Sequence, residues 1–320
     1  MASWRFPGGL ICRKESFAVM HLYLPLAGLS VNVVLLLSVG GGVGFLSGLF
    51  GVGGGFLLTP LLLFMGIPAA VAVASGANQV VGASVSGMLA HWRRGNVDVR
   101  MGALLVLGGL GGSLAGVRLF AWLQQLGQLE FAIQTAYVGF LGLIGSTMLI
   151  ESLRALYRRA GAVPSPRRRQ RWAFLPFKMR FPRSGLEMNP LPPLVVGAVG
   201  GLLSAVLGVG GGIVLVPLMI YLLEIPTAVV IGTSLFQVIF VTANVTILHA
   251  VHTQSVDVIL MLALLVGGVI GAQFGARIGG RLRAEQMRLL LALLVLAVCG
   301  GLLFSLVATP SDLYNMTISR

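Results

Sequence analysis

The stretch Gly44-Phe-Leu-Ser-Gly-Leu-Phe-Gly-Val-Gly-Gly-Gly-Phe-Leu-Leu-Thr-Pro60 decides the fold, because it returns as Gly201-Leu-Leu-Ser-Ala-Val-Leu-Gly-Val-Gly-Gly-Gly-Ile-Val-Leu-Val-Pro217. Each copy breaks an apolar run with Gly-Val-Gly-Gly-Gly, at Gly51 to Gly55 and at Gly208 to Gly212. Behind each break lies a short apolar segment, 56–66 or 213–223, closed by Ile67-Pro68 or Ile225-Pro226. At ~1.5 Å per helical residue, each covers about half of a bilayer's hydrocarbon. The correspondence continues downstream. His91 falls opposite His249 and Asp98 opposite Asp257. Gly108, Gly109, Gly112, Gly116 and Arg118 fall opposite Gly267, Gly268, Gly271, Gly275 and Arg277. Features matched in the same order define two homologous halves.

Working outward, further apolar segments fall at about 30–50, 69–91, 101–123, 131–151, 192–207, 226–250, 258–280 and 286–308. The 69–91, 101–123, 131–151, 226–250, 258–280 and 286–308 segments qualify as spanning helices, which need about 20 residues. The expectation is an all-α polytopic membrane protein of about 8–10 membrane segments. Its organisation reads as an N-terminal segment 1–25, a first repeat 26–151, a linker 152–190, a second repeat 191–308 and a tail 309–320. The N-terminus does not read as a cleaved signal, since Arg5, Arg13, Lys14 and Glu15 interrupt it.

Composition supports this class. Of 320 residues 57% are apolar and 10% charged, with mean hydropathy +0.95. A soluble domain carries about 25% charge, so this chain cannot clothe a soluble surface. The net charge is +13, yet ten of the 22 basic residues fall between Arg154 and Arg183, where there is no acid. Basic loops collect on the cytoplasmic side, so the charge is read as topology and not as nucleic-acid binding. With the linker inside, the absence of Lys and Arg from 124–130 and 251–257 is consistent, and Arg281 and Arg283 return to the cytoplasm if the 192–223 unit enters and leaves on one side. The two halves would then be inverted relative to each other. Cys12 and Cys299 form no metal or redox spacing.

Two sets of residues are candidates for binding. Backbone freed at a glycine break is tolerated at membrane depth only where protein or a watery cavity covers it. A helix that starts behind the break offers unpaired N–H groups and the positive end of its dipole to an anion. This selects Gly53, Gly54, Gly55, Gly210, Gly211 and Gly212. The second set lies on the helices that follow: Ser75, Asn78 and Gln79, then Thr233, Ser234 and Gln237, with Ser84, Ser86, Thr242 and Asn244 behind them. Ser75 and Gln79 share a helix face, as do Thr233 and Gln237. Amides and hydroxyls bind oxyanions without a buried cation, though they also join helices to each other. Arg118 and Arg277 read either as vestibule residues that attract an anion or as snorkelling interfacial arginines. His91 and His249, at helix ends, read as interfacial.

The nine acids lie at segment ends or in loops. A cation pump usually keeps a carboxylate at mid-membrane, so the pattern favours an anion as substrate. A coupling ion, proton or sodium, is left unassigned, and so is self-association into a homo-oligomer. No catalytic constellation, metal cluster or cofactor motif stands out; neither glycine run continues into the Lys-Ser/Thr of a nucleotide loop. An enzyme is not expected.

The duplicated glycine unit, the polar helix behind each copy and the glycine seams ending in Arg118 and Arg277 resemble the sulfite exporter TauE/SafE family. The resemblance covers the chain except for its first 25 residues, the basic linker and the tail. It implies a permease of the bacterial inner membrane that moves small sulfur-containing or organic anions such as sulfite or sulfonates. It carries the family's glycine breaks onto Gly53, Gly54, Gly55, Gly210, Gly211 and Gly212, and its polar-helix positions onto Asn78, Gln79 and Gln237. Phe236 stands where the first half has Asn78, so the amides are not fully paired. The rival reading is a membrane accessory or assembly protein that recruits partners through the basic linker.

Overall fold

The computed structural model describes residues 21–50, 54–157, 179–223, 225, 227–279 and 284–307. A hairpin of β1 (His21–Leu24) and β2 (Leu29–Asn32) leads into α1 (Val33–Phe50), α2 (Gly55–Phe64), α3 (Ala69–Arg93), α4 (Val99–Gln125) and α5 (Leu129–Tyr157). A second hairpin, β3 (Met179–Phe181) and β4 (Leu186–Met188), leads into α6 (Leu191–Leu207), α7 (Gly212–Tyr221), α8 (Thr227–His252), α9 (Val258–Gly279) and α10 (Ala284–Val307). Helices α3, α4, α5, α8, α9 and α10 are long and apolar enough to cross a membrane. The expected helical segments all appear, within a few residues of their expected ends.

The hairpins were not expected, and they move the boundaries. The first begins at His21, within the segment read as 1–25, and the second lies inside the stretch read as linker, which α5 also shortens by running to Tyr157. Each strand holds only three or four residues, too few to show a period. The hairpins correspond at the same spacing as the glycine breaks. Leu24-Pro25, Gly28 and Asn32 stand opposite Phe181-Pro182, Gly185 and Asn189. Gly28 N donates to Leu24 O, and Gly185 N to Phe181 O, at 2.9 Å each. Asn32 Oδ1 accepts from Val34 N and Asn189 Oδ1 from Leu191 N, so each starts the helix that follows.

The seam glycines set the packing. Gly108, Gly112 and Gly116 of α4 face Leu194, Ala198 and Leu202 of α6. Gly267, Gly271 and Gly275 of α9 face Leu37, Gly41 and Phe45 of α1. A β-carbon at Gly112 or Gly271 would fall on the opposing carbonyl oxygen, of Ala198 or Gly41, so only glycine permits the approach. Numbers rise together along both pairs, so each pair runs parallel. Each half thus lends its opening helix to a helix of the other half.

Direction follows for the rest. Gly102 meets Phe236, Ser113 meets Asn244 and Phe120 meets His249, so α4 and α8 are parallel. Gly87 meets Leu235 while Gly232 meets His91, so α3 and α8 are antiparallel. Cys299 Sγ on Val138 O and Gly145 on Leu296 make α5 and α10 antiparallel. Because α6 and α8 point the same way, α7 between them folds back along α6, with Leu215 against Gly200. The largest buried cluster joins α2 (Phe56, Leu57, Leu58), α5 (Tyr137, Leu141) and the second break (Leu207, Val209). Leu107, Leu143, Ile247, Val251 and Phe304 point outward, as expected of a surface that meets lipid.

Candidate functional site

The two short helices begin inside the protein. Gly54 to Pro60 are buried, and so are Ser204 to Leu215. The residues before α2 and α7, Gly54 (φ 65°) and Gly211 (φ 74°), are left-handed and place no side-chain cap on the helix. Glycine adopts this conformation without strain. It also leaves first-turn N–H groups without the side-chain acceptor that usually serves them. The breaks approach each other. A β-carbon on Gly55 would lie 2.9 Å from both Gly208 O and Val209 O. Helices α3 and α8 cross at this point, with Val80 against Gly55 and Gly210, and Val238 against Gly210.

On either flank of the crossing stands a buried glutamine. Gln79 lies over Gly268 of the α1–α9 seam, and its Nε2 donates to Gly40 O at 2.8 Å. Gln237 lies over Gly109 of the α4–α6 seam. Among the described residues, Gln79 Oε1 and both amide atoms of Gln237 are buried without a hydrogen-bond partner. Buried polar groups are nearly always paired, and an unpaired one costs roughly 1–3 kcal/mol. A bound oxyanion would satisfy the amide N–H groups. The two glutamines stand on different flanks of the crossing. Each belongs to its own seam, and the second half carries the amide that is wholly unpaired.

Other sequence candidates are placed elsewhere. Ser75 and Thr233 accept the backbone N–H of Asp257 (2.9 Å) and Asp98 (3.1 Å), at opposite ends of the bundle. They connect the start of α9 to α3 and the start of α4 to α8. Ser234 Oγ donates to Ile231 O of its own helix. Asn244 Nδ2 donates to Ser113 Oγ and joins α8 to α4. Asn78 is half-buried beside Gln79. Gly212 opens α7 beside Gly211 and Gly210, whereas Gly53 lies outside the described residues. Arg118 and Arg277 are exposed on outer faces, Arg118 among exposed Leu114, Leu119 and Trp122, and Arg277 over the ring of Phe274 at 6.0 Å. That is the snorkelling position and not a vestibule around the glutamines. Arg281, Arg283 and the basic stretch 158–178 lie outside the described residues.

The structure adds polar atoms that the sequence reading ranked low or missed. Ser84, Ser204 and Thr242 each hold a buried hydroxyl with no partner among the described residues. Thr242 Oγ1 lies 3.4 Å from a β-carbon built on Gly210, at the crossing itself. Ser84 and Thr242 correspond between halves, and Ser204 corresponds to Ser47 within the stretch that decides the fold. His249 was expected at the interface. It is instead fully buried, with Nε2 2.9 Å from Ala205 O, Nδ1 3.2 Å from Thr253 Oγ1 and its ring edge-on to Phe120.

Comparison with known proteins agrees with this architecture. The family described as "Sulfite exporter TauE/SafE" matches residues 36–302. A "Probable membrane transporter protein YjnA" of Bacillus subtilis (strain 168) is 25% identical over 84% of this chain and 97% of its own length. A "Probable membrane transporter protein" of Xylella fastidiosa (strain 9a5c) is 28% identical over 74% of this chain and 81% of its own length. No solved structure matches the chain significantly.

Proposed function

The chain belongs to the sulfite exporter TauE/SafE family of multi-pass bacterial membrane transporters, and from that premise we propose that it carries a small oxyanion by alternating access. Sulfite is the substrate that the family description names, and short sulfonates share its oxyanion chemistry. One observation carries the reading. The buried start of α2 meets the second glycine break at Gly208 and Val209 where α3 and α8 cross, and α7 starts just beyond that break. Both starts lack side-chain caps and are flanked by glutamines with unpaired amide atoms among the described residues. Neutral donors and helix dipoles can hold an oxyanion there without a buried cation. The carboxylates of Asp98 and Asp257 are taken up by backbone N–H groups at the starts of α4 and α9 and by the hairpin turns.

The antiparallel course of α3 and α8, and the parallel swap of α1 and α6, support the inverted-repeat reading. Re-entry of α7 along α6 supports placing both ends of that unit on one side, the side of the Arg93–Arg94 loop and the linker. That side is read as cytoplasmic from its arginines. An inverted pair suits a carrier because one architecture can open to either face.

The test is counterflow in vesicles reconstituted with the full chain. Sulfite, sulfate, thiosulfate and short sulfonates are each loaded inside and offered as label outside. Saturable counterflow with at least one of them is expected. Flux that never saturates would indicate a channel, and no flux would favour the accessory-protein reading.

A further inference from the structure

The corresponding aspartates do the same work at opposite ends. Asp98 is 1% exposed and Asp257 2%. Asp98 Oδ1 caps α4 through Met101 N, while its Oδ2 accepts from Arg183 N, Ser184 N and Ser184 Oγ in the turn of the β3–β4 hairpin. Asp257 Oδ1 accepts from Ile259 N and Leu260 N at the start of α9, while its Oδ2 accepts from Leu26 N in the turn of the β1–β2 hairpin. Each hairpin also sets one fully buried apolar residue into the bundle, Leu24 or Phe181, at corresponding positions. Each aspartate is therefore split. One oxygen belongs to its own half and the other fastens the hairpin of the other half.

The backbone of each aspartate reaches further. Asp257 N donates to Ser75 Oγ and Asp98 N to Thr233 Oγ1. Ser75 and Thr233 lie one helical turn before Gln79 and Gln237, on the same faces. Since α3 and α8 are antiparallel, the two assemblies close opposite ends of the bundle.

We propose that the two hairpins are lids over the two ends of the transport path, and that Asp98 and Asp257 are positioning residues that latch them and report lid closure to the glutamine helices. This rests on the transport reading above. A carboxylate held by N–H and O–H donors forms strong hydrogen bonds, yet water replaces them readily once a lid lifts. That makes the contact a latch and not a permanent bond. The latches are unequal. Among the described residues three donors of the β3–β4 turn meet Asp98 and one donor of the β1–β2 turn meets Asp257, so without substrate the β1–β2 end opens more readily.

Hydrogen exchange on the purified full chain in lipid nanodiscs tests this, read alongside vesicle counterflow. In the wild type, amides of 24–29 should exchange faster than those of 181–186. Asp98→Asn must turn an NH2 toward donors on one side, and should speed exchange of 181–186 at least tenfold while leaving 24–29 unchanged. Asp257→Asn should do the reverse. Ser184→Ala keeps the α4 cap and should give the Asp98→Asn pattern more weakly, which guards against misfolding of the aspartate variants. Counterflow should fall at least fivefold in each aspartate variant, with anion affinity within about threefold of wild type. Equal exchange of both hairpins in all variants, or selective lid release with normal counterflow, would overturn the latch. Wild-type vesicles that carry none of the anions would overturn the transport reading, whatever the exchange pattern.

Discussion

Gln237 Nε2 lies directly over Gly109, so that a β-carbon placed on that glycine would sit 2.8 Å from the amide nitrogen. Gln79 and Gly268 repeat the relation at 2.6 Å. A methyl group at either glycine takes the space an anion needs beside the amide. Gly109→Ala and Gly268→Ala should each cut counterflow at least tenfold. Gly111→Ala, with nothing within 4 Å, should leave it unchanged.

The two glutamines should respond differently to removal. Gln237 has no partner in either amide atom, whereas Gln79 already donates to Gly40 O. A hydrogen bond to a charged group contributes about 1.5–3 kcal/mol, or roughly 10- to 100-fold in affinity. Gln237→Ala should raise the half-saturating anion concentration by that factor with little change in melting temperature. Gln79→Ala should lower the melting temperature as well, because it also unties α3 from α1. Equal loss of affinity and stability in both variants would argue against this division.

The seam glycines that face backbone, away from the glutamines, should govern stability and not selectivity. A β-carbon on Gly271 would strike Gly41 O, and one on Gly112 would strike Ala198 O. Overpacking of this kind costs about 1–3 kcal/mol. Gly271→Ala and Gly112→Ala should lower the melting temperature in detergent by several degrees, while Gly42→Ala, with nothing within 4 Å, should not.

The basic linker can be separated from the lid. Deleting residues 160–177 removes Arg167, Arg168, Arg169 and Arg171 and spares the β3–β4 hairpin, which begins at Met179. A transporter should retain counterflow after this cut, though fewer molecules should insert in the correct orientation. A protein that acts by recruiting partners through this stretch should lose its function and still insert correctly.

The helices were legible in the sequence because membrane spans declare themselves by length and apolarity. The glycine breaks were legible because they occur twice. The hairpins were not, since Leu24-Pro25 to Asn32 and Phe181-Pro182 to Asn189 share only Pro, Gly, Leu and Asn across loops of differing charge. Once α1 and α6 are seen to exchange partners, that faint match explains itself. Each hairpin must reach the aspartate of the other half.

The candidate site was legible in its parts and not in its assembly. Gln79 and Gln237 were identified from their i,i+4 spacing, but that spacing cannot tell a ligand contact from a helix-end contact. It therefore grouped Ser75 and Thr233 with them. What separates these residues is long-range, the arrival of Asp257 N and Asp98 N from the other half. Likewise Arg118 and Arg277 shared a position along the seam helices, and only the packing shows that they face outward. Thr242 stood behind the glutamines because hydroxyls in membrane helices also join helices to each other, and Ser204 was not singled out from the repeated stretch.

We propose that the glycine-break crossing holds a small oxyanion through Gln237. Thermal unfolding of the purified protein, with and without sulfite, sulfate, thiosulfate and short sulfonates, tests it most directly, since a ligand stabilises as RT ln(1 + [L]/Kd). At least one of these anions should raise the wild-type melting temperature in a saturable way. The rise should vanish in Gln237→Ala and persist in Gly111→Ala. A rise that survives in Gln237→Ala, or no rise with any of the anions, would contradict the account.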